Sequence, residues 1–209
     1  MKKITILIVL FCPVILTAQI GIKAGVNFAK VSGTADINSS RQSGFHAGIF
    51  LAPPSKKIIS SKTEFLFSRQ GYNYKTNSST GNVKLDYFTQ AQFICINLTK
   101  FVQLQFGAQT AILLSAQVDS NKNTGTTNSY ENIMDLYNRF DYGYALGVEI
   151  HPMAGLTIGA RYNVSLAKVY KDIQNLQKPS FTSEDAKNNV VQLSVGWRFG
   201  GSNNTKKYK

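Results

Sequence analysis

Cysteine and histidine are almost missing from this 209-residue chain, which holds only Cys12, Cys95, His46 and His151. So few soft ligands, so far apart, exclude a zinc-type cluster. Charge is scarce as well: Asp, Glu, Lys and Arg make up 16% of the residues, against about 25% in ordinary domains. Acids are the scarcer sign, 11 against 23 lysines and arginines. The longest apolar run, Ile4 to Leu16, is shorter than the ~20 residues of a membrane-crossing helix and is broken by Pro13. At 43% hydrophobic the chain is far too polar for a helical membrane protein, while 11% aromatics is too many for a disordered one. Sixteen glycines and five prolines rule out a collagen-like repeat. What is abundant is Gly, Asn, Ser, Thr, Gln, Tyr and Phe, the composition of long strands and polar loops.

Lys2 and Lys3, the apolar run to Leu16 and then Thr17-Ala18-Gln19 read as a secretory signal cleaved after Ala18. A lipid-acceptor cysteine follows small residues, whereas Cys12 follows Phe11. Cleavage removes Cys12 and leaves Cys95 alone, so the mature chain is expected to hold no internal disulfide. Removing Lys2 and Lys3 lowers the formal charge from +12 to +10. The boundaries expected are 1–18 signal, 19–200 barrel and 201–209 basic tail.

Period two dominates the rest. Ile20, Ile22, Ala24, Val26 and Phe28 alternate with Gly21, Lys23, Gly25 and Asn27. Val102 to Leu114, Phe140 to Ile150, Leu156 to Leu166 and Val191 to Phe199 repeat the pattern, and 44–52 and 59–74 carry a noisier version. Between Tyr87 and Ile94 the apolar parity changes, which predicts a bulge there. About eight strands result, many longer than the 5–6 residues usual in globular proteins and long enough to cross a bilayer when tilted. Gly21, Gly25, Gly44, Gly48, Gly107, Gly143, Gly147, Gly159 and Gly196 fall on the polar parity, the concave face of a tightly curled sheet. The polar face is therefore expected inside and the apolar face outside. Connections alternate long (32–43, 75–82, 119–139, 171–188) and short (53–57, 99–101, 152–155), which puts both termini on the short-turn, periplasmic side. The fold class expected is all-β: an eight-stranded antiparallel transmembrane up-and-down barrel. The alternative, a soluble sandwich or lipocalin-like barrel, would have to bury Tyr142, Tyr144, Tyr162 and Trp197 with partners for their polar tips. In a bilayer they form a girdle, with Trp197 and Phe199 at the inner interface and Phe28, Tyr72, Tyr74, Phe140, Tyr142 and Tyr170 toward the outer one.

Gly44-Phe-His-Ala-Gly48, Glu64-Phe-Leu-Phe-Ser-Arg-Gln-Gly71, Phe140-Asp-Tyr-Gly-Tyr-Ala-Leu-Gly147, Gly159-Ala-Arg-Tyr162 and Val191 to Phe199 resemble the Bacteroidetes outer-membrane β-barrel domain family, also called PorT-like. The likeness covers nearly all of the mature chain. It implies a membrane barrel and, through the family's namesake, a link to type IX secretion, but no reaction. The chain departs from the family at Thr89-Gln-Ala-Gln92, and in a tail that continues past Phe199.

Lys23, His46, Glu64, Glu149, Arg161 and Arg198 share the inward parity, with Asp86 and Asp141 as candidate additions. Eight strands enclose little more than side chains, so these residues are expected to form a paired polar plug; a selectivity filter or ligand site is the alternative. A lipid-modifying hydrolase would need a His–Ser pair near the outer leaflet, for which His46 with Ser43 is the formal candidate. No catalytic residue, cofactor or metal is assigned. Tyr130, Ile133, Met134 and Tyr137 recur at i, i+3, i+4 and i+7 behind Asn128 and Glu131 at N-cap and N3 spacing. They predict a short amphipathic helix that caps the barrel mouth or meets a partner. Lys56, Lys57, Lys100, Lys206, Lys207 and Lys209 form a basic collar at the periplasmic end, suited to anionic headgroups or an acidic partner. The reading is a non-catalytic outer-membrane barrel, present as a monomer, with a structural, surface-interaction or secretion-accessory role. Its contacts would be outer-membrane lipid, the barrel-assembly machinery and an envelope or secretion protein, and not nucleic acid. A narrow channel or small-ligand transporter stands second and a lipid-modifying enzyme third.

Overall fold

A strand whose side chains alternate can bury one face only if the sheet stacks or closes, and this sheet closes. The computed structural model describes residues 19–32, 38–53, 58–75, 80–121, 131–132, 134–171 and 186–200. The expected signal, the basic tail and Lys56 and Lys57 lie outside them. Eight long strands make the wall: β1 (Gln19–Ser32), β2 (Asn38–Ala52), β3 (Ile59–Lys75), β4 (Thr80–Asn97), β5 (Val102–Asn121), β7 (Phe140–Ile150), β8 (Leu156–Ser165) and β9 (Lys187–Arg198). A two-residue strand, β6 (Glu131–Asn132), pairs with β5 at Val118 and Gln117 beyond the ring. Each long strand is antiparallel to its chain neighbour, β1 pairs with β9, and β4 with β5, so the ring has no open edge.

The register fixes the barrel's tilt. From Ile20 the cross-strand path runs through Leu51, Thr63, Gln92, Ala108, Tyr144, Val164 and Asn189. It returns to β1 at Lys30, ten residues further along. A shear of that size on eight strands gives a strongly tilted, narrow barrel whose interior side chains fill. Because closure satisfies every ladder, the folded protein should resist SDS until boiled and then migrate more slowly. One heat-insensitive band at the unfolded position would contradict the ring.

At the short-turn end the connections are tight. Thr99 Oγ1 accepts from the backbone N–H groups of Phe101 and Val102 (3.1 and 3.0 Å), and Leu98 N–H donates to Val102 O. The β7–β8 turn closes through Gly155, whose φ of 87° suits glycine. Gly21 is needed for another reason: the inward Phe50 ring lies where its Cβ would be.

The other end differs from expectation. β3 and β4 pair as far as Lys75 and Thr80, and β2 begins at Asn38, so the connections near 32–43 and 75–82 shrink to 33–37 and 76–79. Only the two later connections are long. The early strands outrun the bilayer because their upper inward side chains (Tyr72, Tyr74, Val83 and Leu85) bury against one another. β4 also keeps a single parity, with Val83, Leu85, Tyr87, Thr89, Ala91, Phe93 and Cys95 all buried. The bulge falls on β5 instead: Asp86 and Tyr87 face Ser115 and Leu113, which leaves Leu114 as the extra residue.

The outward wall is apolar as expected, with Ile22, Phe106, Leu146, Val195 and Trp197 all exposed. Phe28, Phe140, Tyr142 and Phe199 join it. Tyr72, Tyr74 and Tyr170 do not: they are buried at the outer mouth, because the upper lumen is itself apolar.

Candidate functional site

The lumen is filled at three levels, each by residues from opposite walls. Nearest the short turns is an ion cluster. Lys23 Nζ and Arg161 Nη2 donate to the two oxygens of Glu64 (2.7 and 2.8 Å), and Lys62 Nζ donates to Glu149 Oε2 (2.7 Å). Lys62 also reaches Glu64 at 3.2 Å, and Lys23 reaches Glu149 at 3.6 Å. Lys62 Nζ stands over the Phe50 ring (4.3 Å) and the Arg161 guanidinium over Phe93 (4.2 Å), so an aromatic face packs against each cation. β1, β3, β7 and β8 supply the charges, so the cluster ties β3 to strands on the far side of the ring. Strand alternation does this: Lys23, Lys62, Glu64, Glu149 and Arg161 all take the inward position.

Above it lies a neutral hub. Asn27 Nδ2 donates to Arg69 O (2.8 Å) and Ser68 Oγ (3.0 Å), while its Oδ1 meets Gln192 Nε2 (3.1 Å) and His46 Nδ1 (2.7 Å). Gln70 Nε2 donates to the same Ser68 hydroxyl, and Asn188 Nδ2 donates to Gln70 Oε1. Near the outer mouth Ser165 Oγ donates to Asp141.

The mouth itself is closed by three tyrosines. Tyr72 shares its hydroxyl with Tyr137 (3.0 Å) and Tyr170, and the rings of Tyr137 and Tyr170 stand 5.0 Å apart. Two backbone bonds tie the long connections together, Asn138 N–H to Val169 O and Lys171 N–H to Leu136 O, and Val169 N–H to Ala186 O draws in the two ends of the β8–β9 connection. Burial pushes the Tyr137 hydroxyl well above its ordinary range, so it stays protonated and available as a donor.

Most of the expected inward residues meet. Lys23, Glu64, Glu149 and Arg161 form the ion cluster, and His46 sits in the hub, fully buried. Arg198 does not join them. It lines a cavity of about 640 Å3 that opens at the short-turn end beside Lys62, Gln103, His151 and Thr157, and its Nε has no partner among the described residues. Its place on the last turn of β9 sets it below the carboxylates. Asp86 is on the outer wall, because β4 does not change parity; Arg69 Nε and Nη2 clamp it at 2.7 and 2.9 Å. His46 and Ser43 face opposite ways, since three strand positions reverse the side chain, and Ser43 is exposed; the hydrolase pair is not formed. Burial lowers the pKa of His151, in a short turn, against the opposing pull of Glu149 3.7 Å away.

Tyr130 and Ile133 lie outside the described residues. Met134 packs on the tyrosine cluster and Tyr137 is wholly buried in it. The expected amphipathic helix is replaced by β6 and one 3-10 turn, Met134–Leu136, because the backbone at Glu131–Asn132 is already paired with β5. Asn27 is on the inward parity expected from the sequence but is not among the expected plug residues, and Lys62 is absent from both readings. Lys62 stands two residues from Glu64, hence on the same face, and that spacing was the available signal.

A closed, tilted ring with an apolar outer wall and a polar, filled lumen defines a transmembrane barrel of the outer-membrane type. Residues 13–171 match the family described as outer membrane protein beta-barrel domain. The chain belongs to that family, and its place is the outer membrane. Among solved structures it is similar to Ail, the attachment invasion locus protein of Yersinia pestis, at 17% identity and a TM-score of 0.49, over 87% of this chain and 99% of that one. Neisserial surface protein A gives 16%, 0.49, 86% and 97%; OprG from Pseudomonas aeruginosa gives 8%, 0.45, 88% and 96%. No curated protein matches the chain.

Proposed function

We propose that the protein is a closed, non-catalytic barrel that presents its two long outer connections for contact with another envelope or secretion protein, with 134–139 and 166–171 anchored on its mouth. One observation carries this reading: the lumen is occluded by the ion cluster below and by the tyrosine cluster above. A filled interior leaves recognition to segments on the rim. The sequence pieces that resemble PorT-like barrels support a secretion-accessory setting, with the short turns toward the periplasm. The second reading, a narrow channel, draws on the cavity around Arg198, which enters the barrel only as far as Lys62.

Planar-bilayer recording separates the two. The wild-type protein should give no conductance steps, and Tyr137→Ala should give none either, because the ion cluster still blocks the path. Steady openings in the wild type would replace the display reading with the channel. Membrane lipids should be unchanged after His46→Ala; loss of a modified species would reinstate the enzyme.

A further inference from the structure

Among the apolar residues of the lipid-facing wall stand two neutral carboxamides, distinct from the Arg69–Asp86 ion pair further along the same strands. On β4, Gln90 and Gln92 point outward between Phe88 on one side and Ile94 and Ile96 on the other, all three exposed. Thr63 of β3, itself buried, lies opposite Gln92, and the half-buried Thr110 of β5 lies opposite Gln90. The two pairs repeat one arrangement. Thr63 Oγ1 donates to Gln92 Oε1 (2.6 Å), and Thr110 Oγ1 donates to Gln90 Oε1 (3.3 Å). Each threonine fixes a carboxamide by its oxygen and leaves the NH2 group directed away. Neither Nε2 has an acceptor among the described residues.

Hydrocarbon offers such groups nothing, and water does not reach them there. Exposed apolar residues flank them along β4, Ile94 and Ile96 on one side and Phe88 on the other, which sets the carboxamides within the apolar band. The acceptor must come from protein at the same depth. Insertion holds every copy of the chain upright, so two copies are related only by a two-fold axis along the membrane normal. A stripe at a given depth then faces the same stripe of its partner. Carboxamides are self-complementary, since each N–H can meet the other's C=O. The exposed Ala108 beside Gln92 lets the two walls approach closely.

We infer that the Gln90 and Gln92 carboxamides, each held by a threonine of the neighbouring strand, are the contact face of a homodimer in the plane of the outer membrane. This replaces the single copy expected from the sequence and is independent of whether the lumen conducts.

The test uses the full mature chain, fluorescently labelled, in phospholipid bilayers across a range of protein densities. Energy transfer should report reversible pairing, and Gln90→Leu/Gln92→Leu should weaken it by about tenfold or more, as loss of intramembrane hydrogen bonds does. The same variant should keep its SDS-resistant band, because both side chains lie outside the barrel. In a Cys95→Ser background, Gln92→Cys should form an inter-copy disulfide on oxidation, whereas Val195→Cys, on another part of the wall, should not. A wild type that is single at every density overturns the inference. So does undiminished pairing in the leucine variant, equal cross-linking at both cysteine positions, or cross-linking of Gln92→Cys in native membranes only to a different protein.

Discussion

Glu64→Gln is expected to destabilise the folded barrel by about 3–5 kcal/mol, the cost of removing one partner from a buried ion cluster. Glu64 is fully buried and receives Lys23, Arg161 and Lys62 within 3.2 Å. Glutamine keeps the shape but removes the charge, leaving three cations to one carboxylate, Glu149. Glu149→Gln should cost less, because Lys62 still has Glu64. A sharper check comes from removing charges in pairs. Lys62→Met/Glu149→Gln deletes one cation with one anion, so the double variant should lose less stability than Glu149→Gln alone. Urea unfolding in lipid vesicles measures all three. A Glu64→Gln barrel within about 0.5 kcal/mol of wild type would mean that water, not protein, solvates the lower lumen.

The alternation in β1, β5, β7, β8 and β9 made most of this architecture legible in the chain. There one face is apolar and the other carries glycines and charges, so parity alone assigns inside and outside. Lys23, Glu64, Glu149 and Arg161 were readable as lumen residues for that reason. β4 shows where the method stops. Val83, Leu85, Tyr87 and Phe93 are apolar and inward, while Ile94, Ile96 and Phe88 are apolar and outward. With both faces apolar, period two still says which residues share a face, but no longer says which face meets lipid. Tyr72, Tyr74 and Tyr170 were placed in the lipid girdle by the same assumption. Their real surroundings depend on Tyr137, Val169 and Ala186 arriving from distant connections, and no local pattern encodes that meeting. The tyrosine cap is a product of topology, whereas the ion cluster is largely one of spacing.

Phe106→Arg tests the assignment of faces where it matters most. Phe106 is 57% exposed on the outward wall, and its register neighbours Ile94 and Leu146 are comparably exposed. An arginine there must enter hydrocarbon or bend toward an interface, at a cost of about 2–4 kcal/mol near the midplane. Leu104→Arg and Val148→Arg, on the same wall but closer to the short turns, should cost less as depth decreases. Gln105 is adjacent in sequence but points the other way. It is buried, its Nε2 donates to Gln103 (3.0 Å), and its Oε1 accepts from Arg161 (3.4 Å). Gln105→Arg therefore sets a second guanidinium against the first inside a filled lumen, and that penalty has nothing to do with lipid. Bilayer thickness distinguishes the two causes. In thinner bilayers the Phe106 variant should recover stability, because its guanidinium reaches an interface sooner, while the Gln105 variant should stay equally impaired. Equal recovery of both would put residue 105 on the lipid side, and the inside-out reading of the alternation would fail with it.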